Sequence, residues 1–272
     1  MLWFPPAKIN LGLAVLHKRL DGYHSIETLL YPIPLFDLLE INKNPTQDTD
    51  IFSSSGLILD CRPEENLVWK ALRRLRKEYK FPSVKIHLHK QIPVGSGLGG
   101  ASSDAAYILL GIKWLFDLSI SPSNLNLLAA EIGSDCPFFL KSRPRYIRGK
   151  GELLEDFYIH LAVKKLALVI PNFSISTKDA YQDIVPKIPA IFPFQALQME
   201  IENWKKYLKN DFEERVFRVY PDLAKTKEEL YRAGAHYVSL SGSGSGIFGL
   251  FESETELKLS AKHQVYWMTL DD

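Results

Sequence analysis

Cysteine is scarce, with Cys61 and Cys136 the only two among 272 residues. Two thiols cannot build a disulfide framework, and their spacing offers no set of metal ligands, so packing is the role expected of both. An excess of charge of one sign is missing as well. Lys and Arg number 33 against 32 Asp and Glu, a net charge of +1 with no basic half, which argues against nucleic acid as a partner. No apolar run reaches the roughly 18 residues that a membrane helix needs, and residues 1–8 show no charged stretch leading into an apolar one. The expectation is a soluble, cytoplasmic chain with no membrane partner. The rest of the composition is that of a globular protein: 46% hydrophobic residues at this length support a sizeable core, in one large domain or in two lobes.

The most informative stretch is Pro93-Val94-Gly95-Ser96-Gly97-Leu98-Gly99-Gly100-Ala101-Ser102-Ser103-Asp104, a glycine-rich loop running into a helix-forming segment. Closely spaced glycines admit backbone conformations closed to other residues and leave no side chains between the amides and an approaching anion. Ser102, Ser103 and Asp104 suit a helix N-terminus, and residues 105–116 suit the helix itself, so amides and the positive end of the dipole converge on the loop. The pattern predicts a phosphate site. Gly95 to Gly100 also satisfies G-x-G-x-x-G, with Asp117 near the distance of a ribose-binding acid. Asp117 nevertheless falls late in the helix, where a dinucleotide site needs the end of a second strand. A Walker loop fails too, because Ala101-Ser102 follows the last glycine where Lys-Ser or Lys-Thr is required. The same glycines could also serve a tight strand-to-helix turn that binds nothing.

Strand and helix patterns interleave along the chain, which predicts an α+β or α/β layout. Residues 7–15 and 84–89 read as strands, the second alternating Val84, Ile86 and Leu88 with polar neighbours. Residues 66–79 read as a helix with Val68, Ala71, Leu72 and Leu75 on one face and a solvated basic face opposite. Ser121-Pro122 opens another helix that Gly133 closes, and Asp135 follows. Later come a buried strand at 161–170, a loop at 185–194, and helices at 196–208, 211–219 and 221–233. Short strands at 236–240 and 247–251 flank Ser241-Gly242-Ser243-Gly244-Ser245-Gly246, a defined turn whose amides are expected to face the same ligand as the first loop.

The loop resembles the second motif of the GHMP kinase superfamily, which binds ATP phosphates without a Walker lysine. Further blocks resemble that superfamily in order along the chain. They are Pro6-Ala7-Lys8-Ile9-Asn10-Leu11, Asp21-Gly22-Tyr23-His24, Gly133-Ser134-Asp135-Cys136-Pro137, Ser176-Thr177-Lys178-Asp179-Ala180-Tyr181, Asn210-Asp211-Phe212-Glu213 and Ser241-Gly242-Ser243-Gly244. The Lys8 and Tyr23-His24 blocks are similar to the branch whose acceptor is a cytidine diphosphate derivative of methylerythritol.

The resemblance implies an α+β fold of two lobes, residues 1–150 and 151–272, with the active site in the cleft between them. It implies phosphoryl transfer from ATP, with Mg²⁺, to the 2-hydroxyl of that small molecule. By the same resemblance Asp135 is the base and Lys8 its partner. Pro93, Val94, Gly95, Ser96, Gly97, Leu98, Gly99, Gly100, Ala101, Ser102 and Ser103 hold ATP, and Asn66 and Leu67 lie near the adenine. Asn10 sits by the acceptor hydroxyl, Tyr23 and Tyr181 sandwich the cytosine, and His24 bonds its edge. Asn66 reads equally as the N-cap of its own helix. No protein ligand for Mg²⁺ is assigned; Ser102 and Ser103 are candidates beside the phosphates. Leu140-Lys141-Ser142-Arg143-Pro144-Arg145 departs from the glycine-rich turn of relatives, and its role stays open. The oligomeric state is expected to be a monomer or weak homodimer. Alternatives are another kinase of the superfamily acting on mevalonate or homoserine, a dinucleotide-dependent oxidoreductase, and a catalytically dead ligand-binding relative.

Overall fold

The computed structural model describes residues 1–59, 62–161 and 163–270, so the expectation for Cys61 lies outside the described residues. The chain forms two compact units, neither continuous in sequence. The first comprises Met1–Ala7, Leu35–Val94 and Gly99–Arg143, the second Lys8–Pro34, Gly95–Leu98 and Pro144–Asp272.

In the first unit a sheet runs in the order Leu2–Trp3, Leu38–Lys43, Val84–Lys90, Ile51–Gly56. Ile51–Gly56 and Val84–Lys90 are parallel, joined through the helix Leu67–Arg76. Asn66 caps that helix, its side-chain oxygen accepting from the Val68 amide at 2.9 Å, so the helix starts one residue later than expected. Val68, Ala71, Leu72 and Leu75 face inward as predicted. They meet Ile86 and Leu88 of the sheet and Ile108, Leu109 and Ile112 of the helix Gly100–Leu115 in one apolar core. Burial of each large aliphatic side chain contributes about 1.5–3 kcal/mol. Pro122–Ile132 carries the expected Ser121 cap, and a single turn, Cys136–Phe139, follows directly after Asp135.

In the second unit the greater part of Pro6–Lys18 and His24–Phe36 forms a sheet with Arg145–Arg148 and Leu153–Asp156. Arg145 pairs with Asp156 at 3.2 Å across the last two strands, which gives that cation of the open segment a structural partner. A second, antiparallel sheet has the order Tyr237–Leu240, Ile247–Phe251, Lys165–Ile170, Gln264–Thr269. Phe212–Val219 and Pro221–Arg232 bring Phe212, Val216, Leu223 and Leu230 into the core that also takes Val169 and Val238. Of the stretch 161–170 expected as a strand, Lys165–Ile170 forms one and residue 162 lies outside the described residues, while the helix expected at 196–208 divides into Pro193–Ala196 and Ile201–Tyr207. Among the described residues no helix is long and apolar enough to cross a membrane.

Candidate active site

The helix after the glycine loop begins five residues earlier than residue 105, at Gly100, with Gly99 as its N-cap. Gly99 adopts φ +71°, a conformation that lets chain leave the loop and enter the helix without spacer residues. Ser102 and Ser103 therefore lie inside the first turns. The Ser103 amide closes a helical bond to Gly99 O at 2.9 Å, and its hydroxyl is fully buried with no partner, so neither group faces outward. Ala101 is exposed and Ser102 half-buried. The glycine cap brings no side-chain acceptor to the first-turn amides, which is the condition for anion binding at a helix N-terminus.

The loop is pinned by its carbonyls. Ser245 N donates to Gly95 O at 3.4 Å, Gly246 N to Ser96 O at 3.0 Å, and Lys8 N to Leu98 O at 2.9 Å. Gly97 O accepts from Lys8 Nζ at 2.7 Å and from Ser241 Oγ at 3.0 Å. In a trans peptide the N–H of the next residue points opposite to the carbonyl, so these bonds turn the amides of Ser96, Gly97, Leu98 and Gly99 away from their anchors. Positive φ at Gly95, Gly97 and Gly99 alternates with the intervening residues, the arrangement of an anion-binding nest. Ser96 and Leu98 tuck inward, 2% and 1% exposed, so the loop presents main chain. Gly95 and Val94 are exposed and Pro93 is half-buried.

Two amides of the turn 241–246 serve the first loop itself. Its Ser245 and Gly246 amides bind the first loop's carbonyls, so they hold that loop in shape and do not face a ligand beside it. A Cβ on Gly97 would collide with Ser241 O, so this approach requires glycine. Asn210 secures the turn from behind, donating to Leu240 O and Gly242 O at 2.9 Å each.

Lys8 and Asn10 are both 3% exposed on the strand Pro6–Lys18, and Lys8 Nζ donates to Asn10 Oδ1 at 2.7 Å. A Cβ on Gly242 would stand 3.3 Å from Lys8 Nζ and 3.2 Å from Asn10 Oδ1, so the serine-glycine turn closes over the lysine. These four residues, Lys8, Asn10, Gly97 and Ser241, form one knot on the second unit.

On the first unit, Asp135 is half-buried at the start of Cys136–Phe139. The adjoining Cys136 thiol is buried and shares a hydrogen bond with Ser102; burial pushes it up to about 12. It packs as expected, and it ties the Asp135 turn to the first turn of Gly100–Leu115. Behind that helix start lies a cluster that the sequence reading missed. Lys90 Nζ bonds Asp37 Oδ2 and, at 2.9 Å, Asp104 Oδ2, while Asp37 Oδ1 accepts the amides of Gln91 and Ile92 at 2.6 and 2.9 Å. All three charged side chains are buried. Burial pushes the Asp104 carboxyl up to about 7 against the opposing pull of Lys90. Burial pulls Lys90 down, but the two carboxylates outweigh it and its ammonium is held above the usual range. The available signals were Lys90 at an inward position of an alternating strand and Asp104 in the apolar register of Ile108 and Ile112.

The aromatic residues are arranged on the second unit. His24 stacks on Tyr181 with centroids 5.0 Å apart and planes at 17°, and Tyr181 meets Phe212 edge-on at 4.8 Å. Tyr23 is 60% exposed, with Lys150 Nζ 5.0 Å from its ring. Burial, followed by the nearby Lys18 charge, lowers the His24 pKa and favours the neutral imidazole. Asp117 stands just past the helix at φ +48°, away from any strand end, which removes the ribose-acid role. Among the described residues no group of three or more His, Cys, Asp or Glu is placed to hold a metal.

Models of the GHMP kinases N terminal domain and of the GHMP kinases C terminal match residues 66–143 and 194–261. A 4-diphosphocytidyl-2-C-methyl-D-erythritol kinase of Parabacteroides distasonis is 43% identical over 258 residues, 95% of this chain and 94% of that protein. The kinase of the same name from Azobacteroides pseudotrichonymphae is 45% identical over 93% of this chain and 94% of its own length. A crystal structure of a 4-(cytidine 5'-diphospho)-2C-methyl-D-erythritol kinase superposes with a TM-score of 0.78 at 32% identity, covering 92% of this chain and 90% of that one. The mevalonate kinase of Methanococcus jannaschii, at 15% identity and a TM-score of 0.70 over 100% and 98% of the two chains, shares the fold alone. The chain belongs to the GHMP kinases, ATP-dependent kinases of small molecules, and within them to the family of 4-diphosphocytidyl-2-C-methyl-D-erythritol kinases.

Proposed function

We propose that the protein transfers the γ-phosphoryl group of ATP to the 2-hydroxyl of 4-diphosphocytidyl-2-C-methyl-D-erythritol, a step in the non-mevalonate route to isoprenoid precursors. The observation that carries this reading is the match along nearly the whole chain to kinases of that name, at 43% and 45% identity. The glycine loop supports the donor half. Its pinned carbonyls and outward amides form a cradle for phosphate that needs no rearrangement, and the helix N-terminus adds to it. Mg²⁺ enters on the nucleotide as MgATP, and ATP as donor makes the cytoplasm the compartment of the reaction.

The acceptor is a tertiary alcohol, crowded and weakly acidic, so a positioned base and good alignment are both needed. Asp135 takes the hydroxyl proton as the oxygen attacks the γ-phosphorus. The bond from that phosphorus to the bridging oxygen breaks, and ADP leaves. Lys8 counters the charge on the transferring group, its ammonium aimed by Asn10 and the Gly97 carbonyl. Tyr181 and Tyr23 offer aromatic faces to the cytosine. His24, neutral near pH 7, has one ring nitrogen to donate and one to accept, which suits the mixed edge of that base. Because His24 already stacks on Tyr181, the base either extends the stack or parts the two rings.

The test is ADP release from MgATP with the cytidine compound, beside mevalonate, homoserine and no acceptor. Release with the cytidine compound alone supports the reading. Release with another acceptor keeps the loop and discards the roles of Tyr23, His24 and Tyr181. Loss of turnover in Asp135→Ala with ATP binding retained supports the base, and undiminished turnover removes it.

A further inference from the structure

The position of the Lys8 ammonium is set from the neighbouring strand. Lys8, Asn10 and Gly12 alternate along Pro6–Lys18, and Thr28 lies on His24–Phe36 beside them. Lys8 Nζ donates to Asn10 Oδ1 at 2.7 Å, Asn10 Nδ2 donates to Thr28 Oγ1 at 3.0 Å, and Thr28 Oγ1 donates to Gly12 O at 2.5 Å. Lys8 and Asn10 are 3% exposed and Thr28 is 1% exposed.

The direction of this chain is fixed at both ends. An ammonium can only donate, and a backbone carbonyl can only accept. The Gly12 carbonyl cannot swing aside, because the other edge of its peptide, Leu13 N–H, is held by Lys209 O at 2.8 Å. Gly12 itself has φ +66°, and a Cβ there would lie 2.5 Å from Leu208 Cδ1. Leu29 O stands 3.5 Å from the Thr28 hydroxyl, too far to compete for its proton. With that proton directed to Gly12, the hydroxyl has only lone pairs left for Asn10. Asn10 must then present its NH₂ to Thr28 and its oxygen to Lys8. The two ends of an amide are nearly the same shape, so volume alone does not choose between them. The reversed amide would set an NH₂ against the ammonium.

We infer that Thr28 is a positioning residue for phosphoryl transfer: its hydroxyl locks the orientation of the Asn10 amide and, through it, the place of the Lys8 ammonium, without touching substrate. The inference rests on the reading of Lys8 given above.

Thr28→Val keeps the shape and removes the hydroxyl, whereas Thr28→Ser keeps the hydroxyl. Thr28→Val is expected to lower kcat on the order of tenfold or more, the scale of a lost hydrogen bond in a chain ending on a charged group, with KM for ATP changed less than about twofold. Thr28→Ser is expected to restore kcat. In a double-mutant cycle, Thr28→Val should add nothing to Asn10→Ala, because Thr28 acts only through that amide. Native kcat in Thr28→Val, no recovery in Thr28→Ser, or full additivity with Asn10→Ala overturns the inference. Should Thr28→Val not fold, Thr28→Ala set against Thr28→Ser carries the same comparison, and equal kcat in the two overturns it. Lys8→Met separates the two failures. Unchanged kcat in Lys8→Met sinks the reading of Lys8 and this inference with it, whereas lost turnover there beside native kcat in both Thr28 variants sinks the inference alone.

Discussion

Lys90 and Lys8 are buried equally, each 3% exposed, and are held in different ways. Lys90 grips two carboxylates, Asp37 and Asp104, behind the start of the helix Gly100–Leu115. Lys8, on the other unit, sends hydrogen bonds to an amide oxygen and to a loop carbonyl. A cation matched by buried anions is a fixed cluster whose loss leaves uncompensated charge in a dry interior. The Asn10 oxygen and the Gly97 carbonyl, two of the groups that Lys8 bonds, are placed by strand and loop geometry, an arrangement that supports the role proposed for it beside phosphate.

The comparison is broken most directly by removing each lysine. Lys90→Met should destabilise the fold by about 3–5 kcal/mol, since two buried carboxyls lose their common partner; an unfolding midpoint in urea close to native would show that the cluster is dispensable. Lys8→Met should lower kcat by roughly a hundredfold or more, the scale of a lost electrostatic group at a reacting centre. Native kcat in Lys8→Met would remove that role and with it the distinction between the two lysines. Tyr181→Ala tests the proposed base site. KM for the cytidine compound should rise by about tenfold, as loss of one aromatic stacking face predicts, with little change in kcat; an unchanged KM removes Tyr181 from the base site.

The smallest effect is a dependence on pH. The Asp104 carboxyl is raised from 3.8 to about 7 by burial, with Lys90 opposing, so the folded chain binds this proton more tightly than the unfolded chain between those values. Its contribution to stability is therefore full below pH 3.8 and is lost as pH rises through about 7. Asp104→Asn should flatten that slope in urea titrations across the window. A slope identical to native would place the titration elsewhere.

Much of the first unit could be read locally. The Val84–Lys90 alternation, the Leu67–Arg76 stripe and the Ser121-Pro122 start each rest on residues within a few positions of one another, where periodicity and capping act. Asn66 reads as a cap or as a neighbour of adenine, and its bond to the Val68 amide shows the cap. The helix start at Gly100 escapes a local reading because Ser102, Ser103 and Asp104 have good capping chemistry, whereas Gly99 reaches the cap by backbone conformation alone. What stayed invisible depended on partners far apart in sequence. Ser241 meets Gly97 across 144 positions, and Lys90 meets Asp37 across 53, and no local pattern encodes either. The part that the Ser245 and Gly246 amides play is illegible for the same reason: their partners, Gly95 O and Ser96 O, come beside them only in the folded chain.

The division of the chain between the two units also sets an order of events as the protein is made. Strands Pro6–Lys18 and His24–Phe36 emerge among the first segments, yet their company comes late: Val15 N bonds Asp211 Oδ2, 196 positions onward. The segments of the first unit end at Arg143, so everything it needs has been synthesised by then. Closing long loops is slow because the entropy of closure must be met before the contacts form. The first unit can therefore settle while Pro6–Lys18, buried in the folded chain from Pro6 to Val15, waits exposed for the second half of the chain, and that interval is where aggregation during synthesis would begin.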